Sequence, residues 1–278
     1  MRFAIKTSPQ QTTWQAMLDV WREADRIDVF ESAWNFDHFY PVNVPDTSGP
    51  CMEAWVTLTA LAQATERIRI GTMVNGVVYR HPAVLANMAA TLDIVSSGRL
   101  ELGLGAGWNE EECDAYGIEL GGLAERFDRF DEACEVIVGL LTQETTDFDG
   151  SYFRLRAARN NPPPVQRPHP PICIGGKGPR RTLPAVARWA QHWNFPGLDL
   201  DGFVDAKGAL DAACDAIGRD PSEITISQHV LYDPVAGPNA AAEAAAAGAV
   251  AGIDLAIFYL PPPHDPAVLG PLAAAVQH

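Results

Sequence analysis

One histidine, two places where apolar runs stop at small residues, and one glycine-rich arm with cations are where this 278-residue chain could do chemistry. Asp37-His38 follows the run Val29–Phe36. An imidazole there can give or take a proton near neutral pH, or it can anchor the proline-rich loop behind it. Met73-Val74-Asn75-Gly76 closes the run that starts at Ile68. It reads as a bulge at a rim, or as backbone that supports one face of a planar ligand. Gly103-Leu104-Gly105-Ala106-Gly107 ends the run from Arg99, with Trp108 behind it. Its spacing is GxGxG, not GxGxxG, and no acidic residue ends a following strand about 20 positions on, so a dinucleotide fold is not indicated. Glycines where a ligand meets the backbone fit better. Gly175-Gly176-Lys177-Gly178-Pro179-Arg180-Arg181 joins a strand to a helix, so free amides, the helix's positive end and three cations converge in a candidate phosphate site. It lacks the GxxxxGK-Ser/Thr pattern of the nucleotide-triphosphate loop. Together with Arg154, Arg156, Arg159 and Arg167, its cations make seven basic residues within 28 positions. An anion is expected there.

Other classes find little support. A net charge of −15 opposes sequence-independent nucleic-acid binding, which needs a basic surface. The five cysteines form no CxxC pair and none has a histidine at ligand spacing, so no metal centre and no disulfide framework is expected. Neither a Gly-x-Ser-x-Gly elbow nor HExxH is present. His81 precedes a helix-opening proline and reads as structural, while His229 near a strand end has no assignable role. The N-terminus lacks the apolar core of a signal peptide, and no apolar run approaches the roughly 20 residues that span a bilayer. A cytoplasmic protein with reduced cysteines and no membrane partner is expected.

The elements that must position these residues follow from periodicity. Strands are predicted at 2–6, 29–36, 68–74, 99–104, 172–174, 192–195, 224–231 and 253–260. Between them lie helices: from Thr13 with Trp14, Met17, Leu18 and Trp21 on one face; 53–64; from Pro82 to Val95; a long one ending near Leu141; from Pro179; 203–217; and 239–251. Loop 39–50, with three prolines, is irregular. Residues 145–171 contain a hairpin around Phe148–Phe153 and too few apolar residues for a core of their own, so they read as an insertion before the fifth strand. Eight strands alternating with helices at this length predict one (β/α)8 TIM barrel over 1–278, not an open doubly wound sheet. The active site of that fold lies at the strands' carboxyl ends.

The run RHPAVLANMAATLDIVSSGRLELGLGAGW (80–108), the earlier FDHF, and PPICIGGKGPRRTLPAVARWA (170–190) with Trp193-Asn194 after it resemble the luciferase-like monooxygenase superfamily. Within it they look most like actinobacterial oxidoreductases that use the deazaflavin coenzyme F420. The resemblance runs from the first strand to about Asn194. It implies a barrel that binds F420, or alternatively FMN, with His38 beside the ring as proton donor or acceptor and Asp37 next to it among the cofactor-binding residues. Met73–Val74 would form a non-proline cis peptide behind the ring, next to Asn75. Gly105, Ala106, Gly107 and Trp108, and Gly175, Gly176, Lys177, Gly178 and Arg180, would line the ring edge, ribityl chain and phosphate. A sugar-phosphate dehydrogenase of this superfamily has a catalytic glutamate where Trp108 stands, which argues against that activity. The resemblance further implies a small-molecule substrate, a homodimer and, in the FMN alternative, a two-component monooxygenase fed by a separate reductase. A barrel that binds such a cofactor without turnover is a third reading.

Overall fold

The computed structural model describes residues 1–197 and 199–277. The chain opens with β1 (Arg2–Thr7), α1 (Trp14–Arg26), β2 (Phe30–Asn35) and α2 (Ala54–Ala64). β3 (Arg69–Thr72) follows, with the two-residue β4 (Asn75–Gly76) just beyond it, then α3 (Pro82–Val95) and β5 (Leu100–Gly105). Next come α4 (Glu110–Tyr116), α5 (Leu123–Thr142) and an antiparallel hairpin of β6 (Thr146–Asp149) and β7 (Arg154–Ala158). The second half runs β8 (Ile172–Gly175), α6 (Thr182–Trp189), β9 (His192–Phe195), α7 (Leu200–Asp215), β10 (Thr225–Leu231), α8 (Gly237–Ala251), β11 (Leu255–Leu260) and α9 (Leu269–Val276).

β1, β2, β3, β5, β8, β9, β10 and β11 pair in parallel in that order, and β11 pairs back onto β1 from Arg2–Leu255 to Thr7–Leu260. The ring is closed. It is the expected (β/α)8 barrel, with the hairpin outside the ring before the fifth ring strand. Polar residues set the helix starts: Thr13, Glu53 and Asn109 accept from the amides of Ala16, Val56 and Glu112. α6 begins three residues later than expected from Pro179, because Gly178–Arg181 is spent on a turn closed by Leu183 N–H donating to Gly178 C=O. Trp14 was expected on the buried face of α1. It is 36% exposed at the helix's first position, and Met17, Leu18, Val20 and Trp21 supply the buried face instead.

The main apolar core fills the shell between sheet and helices, where Leu58, Leu61, Phe130, Ile137, Val186 and Phe203 are buried. A small second cluster, Ala4, Trp34, Met73, Cys173, Leu255 and Ile257, plugs the ring from inside. Toward the strands' amino ends the interior turns polar. Glu101 accepts from Arg69 Nε at 2.7 Å and meets His192 Nδ1 at 3.1 Å, while His192 Nε2 lies 2.6 Å from Ser227 Oγ. Burial opposes the charge on both members of the Glu101–His192 pair. The partners win: Glu101, beside His192 and Arg69, is held down to about 2, and His192, beside Cys173 and Glu101, is pushed up to about 10.

Candidate active site

A cavity of about 540 Å³ opens at the carboxyl ends of the ring strands, within the size range of small-molecule sites. One wall is the break between β3 and β4. The Met73–Val74 peptide is cis, and Met73 N–H donates to Asn35 C=O at 2.8 Å. The side chain of Val74 sits in a socket made by three glycines. A Cβ added to Gly105 would lie 2.7 Å from Val74 Cγ2, one on Gly103 would lie 3.2 Å from Cγ1 and 1.9 Å from Thr72 O, and one on Gly175 3.4 Å from Cγ1. Sequence alone suggested glycines cleared for a ligand; the nearest atoms they clear space for belong to the protein itself, to Val74 at Gly105 and Gly175 and to Thr72 O at Gly103. Asn75 lines the cavity, but its side chain is engaged, accepting from Trp55 Nε1 and donating to Gly103 C=O, both at 2.6 Å.

The opposite wall carries His38. Its Nδ1 is 2.6 Å from Glu112 Oε1, and Glu112 Oε2 accepts the Phe39 N–H at 2.9 Å. The Tyr79 hydroxyl donates to the same carboxylate. Burial would raise Glu112, but the hydrogen bonds from His38 and Tyr79 outweigh it and hold the carboxyl below its usual range. A carboxylate on Nδ1 makes that nitrogen the donor and leaves Nε2 for other partners. Trp108, half-exposed, meets the imidazole edge-on at 5.4 Å. Asp37 is buried, and Arg80 grips it with two nitrogens at 2.5 and 3.0 Å while reaching Glu53 at 2.5 Å. The carboxylate of Asp37 is thus occupied by the protein itself.

The floor holds residues for which sequence reasoning found no role. Lys6 from β1 is 6% exposed, with Nζ 3.5 Å from His229 Nε2 and 4.8 Å from the ring centre of Tyr259. His229 Nε2 also lies 3.2 Å from Met73 Sδ. Burial pushes Lys6 down to about 7 and drives His229 well below its ordinary value. The available signal was period two in β1: Ala4 faces the ring interior, so Lys6, two residues on, does too.

Gly105, Ala106, Gly107, Gly175 and Gly176 line the cavity beside Met73 and Val74. Lys177, Gly178 and Arg180 do not; they are exposed, and Lys177 lies 4.0 Å from the Asp199 carboxylate. The basic cluster as a whole disperses, because a chain this acidic offers carboxylates nearby. Arg181 meets Asp128 and Asp131 at 2.6 and 3.2 Å, and Arg154 meets Asp149 at 2.9 Å. Beside Lys6 on the floor, the basic residue on the cavity wall among the described residues is Arg126 of α5, whose buried Nε has no hydrogen-bond partner. His81 accepts the Ala83 N–H at the start of α3, the structural part expected of it. Among the described residues, no three His, Cys, Asp or Glu side chains converge as a metal site.

A closed ring of eight parallel strands with its cavity at their carboxyl ends defines the (β/α)8 class. The chain belongs to the luciferase-like monooxygenase family, whose model matches residues 1–271. It is 35% identical over 220 residues to an F420-dependent hydroxymycolic acid dehydrogenase of Mycobacterium tuberculosis, covering 78% of this chain and 58% of that protein. Against an F420-dependent glucose-6-phosphate dehydrogenase of Microbacterium testaceum it is 34% identical over 238 residues, 84% of this chain and 69% of that protein. The chain thus spans about three fifths of the length of the first of these relatives. In structure it is similar to an F420-dependent secondary alcohol dehydrogenase in complex with an F420–acetone adduct (TM-score 0.86, 19% identity, 100% of this chain and 99% of that one). It is also similar to the F420-dependent tetrahydromethanopterin reductase of Methanopyrus kandleri (TM-score 0.79, 16% identity, 99% and 96%). At these identities the solved structures bear on the fold.

Proposed function

We propose that the protein is an oxidoreductase that moves a hydride between coenzyme F420 and a small organic substrate, with His38 handling the accompanying proton. One observation carries this reading: an imidazole fixed by a buried carboxylate faces a cavity whose other wall is the Met73–Val74 turn. Relatives at 34% and 35% identity that are named F420-dependent dehydrogenases support the choice of cofactor.

The residues present fit such a group. The partnerless Nε of Arg126 calls for an acceptor, and Thr182 at the start of α6 with the Gly175–Gly176 backbone completes a polar end to the cavity. Met73, Val74 and Ala106 would hold the ring. When bound, a reduced deazaflavin supplies hydride from its C5 carbon. The chain's own part is to orient the ligands, exclude water and exchange a proton at His38 Nε2, with Glu112 fixing the tautomer on Nδ1. Trp108, Tyr79 and loop 39–50 shape the entrance. That loop is tied down by Gln10, whose amide donates to Val42 C=O at 3.1 Å and accepts from Val42 N–H at 2.7 Å.

Titration of the purified protein with oxidised F420 and with FMN tests the cofactor. Micromolar binding of F420 alone is the expected result. Binding of FMN alone would replace this reading with a flavin-dependent monooxygenase, and tight F420 binding with no acceptor reduced would reduce it to a cofactor-binding barrel.

A further inference from the structure

The cavity floor holds an amine that the proposed reaction leaves without a role. Lys6 is more than nine-tenths buried, lines the cavity, and makes no ion pair with any described carboxylate. Its surroundings are His229 at 3.5 Å from β10, the Tyr259 ring at 4.8 Å from β11, and the Cys173 thiol of β8. None of these brings a carboxylate. His229 faces Met73 Sδ, and burial, the neighbouring Lys6 and, farther off, the charge of His192 keep its imidazole neutral. A buried lysine is normally paired, because an uncompensated ammonium in a low-dielectric site is strongly disfavoured. Replacing the amine with an apolar side chain would remove that cost, so the cavity it faces is where a compensating charge can arrive.

We propose that Lys6, backed by His229 and Tyr259, forms an oxyanion site on the cavity floor that takes a carboxylate or enolate oxygen of a bound small molecule. The proposal rests on reading this cavity as the reaction site. It narrows the chemistry to ligands that present a delocalised oxygen anion at their buried end. Two sources are open to that oxygen, the organic substrate and the ring of the cofactor. Tyr259 presents its ring to the ammonium, a cation–π contact that favours the charged form once an anion is seated. The burial that brings Lys6 down to about 7 disfavours the ammonium in the unliganded site, and an arriving anion favours it.

The test uses benzoate as the anion probe, by calorimetry on the purified protein at pH 6 and pH 9, with Lys6→Met and Lys6→Arg alongside. Benzoate is ionised at both values, so a pH effect reports the protein. The wild type should bind benzoate more tightly at pH 6, Lys6→Met should lose about tenfold or more with little pH dependence left, and Lys6→Arg should retain binding at both pH values. F420 titrations of the same variants separate the sources. An unchanged F420 affinity in Lys6→Met places the oxygen on the substrate, and a parallel loss with benzoate competing against F420 places it on the cofactor ring. Equal benzoate and F420 affinities in wild type and Lys6→Met overturn the proposal. Lys6→Met should melt no lower than the wild type; if it fails to fold, the wild-type pH series and Lys6→Arg decide. Absence of F420 binding to the wild type would instead overturn the cofactor reading and leave the benzoate comparison standing.

Discussion

Glu112 Oε1 lies 2.6 Å from His38 Nδ1 across 74 positions of sequence, and the same carboxylate takes the hydroxyl of Tyr79 and the amide of Phe39. The imidazole is therefore set by α4, an element that follows β5, and not by the loop that carries it. A carboxylate behind a histidine holds one tautomer and one ring orientation.

His38→Ala should cut hydride transfer by roughly 100-fold or more while F420 affinity stays within about threefold. Glu112→Gln should cost about tenfold and change the pH profile of turnover, since Nδ1 exchanges a charged acceptor for a neutral amide oxygen while the imidazole keeps its place. Stopped-flow absorbance of F420 measures both. An unchanged rate in His38→Ala would remove that residue from the mechanism.

Arg126→Met should weaken F420 binding by about tenfold, and the loss should shrink as salt rises. Lys177→Ala should stay within about threefold, because Lys177 lies off the cavity beside Asp199. Fluorescence titration at two ionic strengths compares them. A larger effect at Lys177 would move the anion outward along the arm.

Gly105→Ala should destabilise the fold by about 1–3 kcal/mol, since the new methyl would stand 2.7 Å from Val74. Val74→Ala in the same chain should return part of that loss, a coupling that a double-mutant cycle by chemical denaturation reads directly. Strict additivity would show that the socket does not act as a unit.

The interior pair makes stability depend on pH in both directions. The fold holds His192 up to about 10, so its contribution is complete below its ordinary 6.5 and is lost as pH rises toward 10. Glu101 is held down to about 2, so its contribution is complete above its ordinary 4.5 and is lost as pH falls toward 2. Melting temperature followed by circular dichroism should flatten on the alkaline side in His192→Gln and in part on the acid side, where Arg69 alone is left to hold Glu101 down.

The barrel was legible because each strand, helix and turn is local: β9 at His192–Phe195 agrees with the sequence reading residue for residue, and Thr13, Glu53 and Asn109 mark helix starts as their side chains dictate. The site was legible only where a residue's position along a strand decides its place, as for His38 or Met73–Val74. Pairings were not. Arg80 claims Asp37 from 43 positions away, and nothing in either neighbourhood announces it. The cations of the run 154–181 disperse for a related reason: composition counts them but cannot show that Asp128, Asp131 and Asp149 lie within reach of Arg181 and Arg154. Lys6 hid in plain view, one polar residue in a short apolar strand.

The seating of Val74 against Gly103, Gly105 and Gly175 imposes an order on change. Gly105 is the position that this side chain alone keeps small: Gly103 is blocked by Thr72 O as well and Gly175 would make only ordinary contact, so residue 105 cannot grow until residue 74 has shrunk. Divergence of this cavity toward a new substrate by single steps is then epistatic on that wall: the permissive change must come first and offers no new contact of its own. Trp108, half-exposed on the other side of the cavity, is under no such restraint from a glycine socket and is where stepwise evolution or library design can begin.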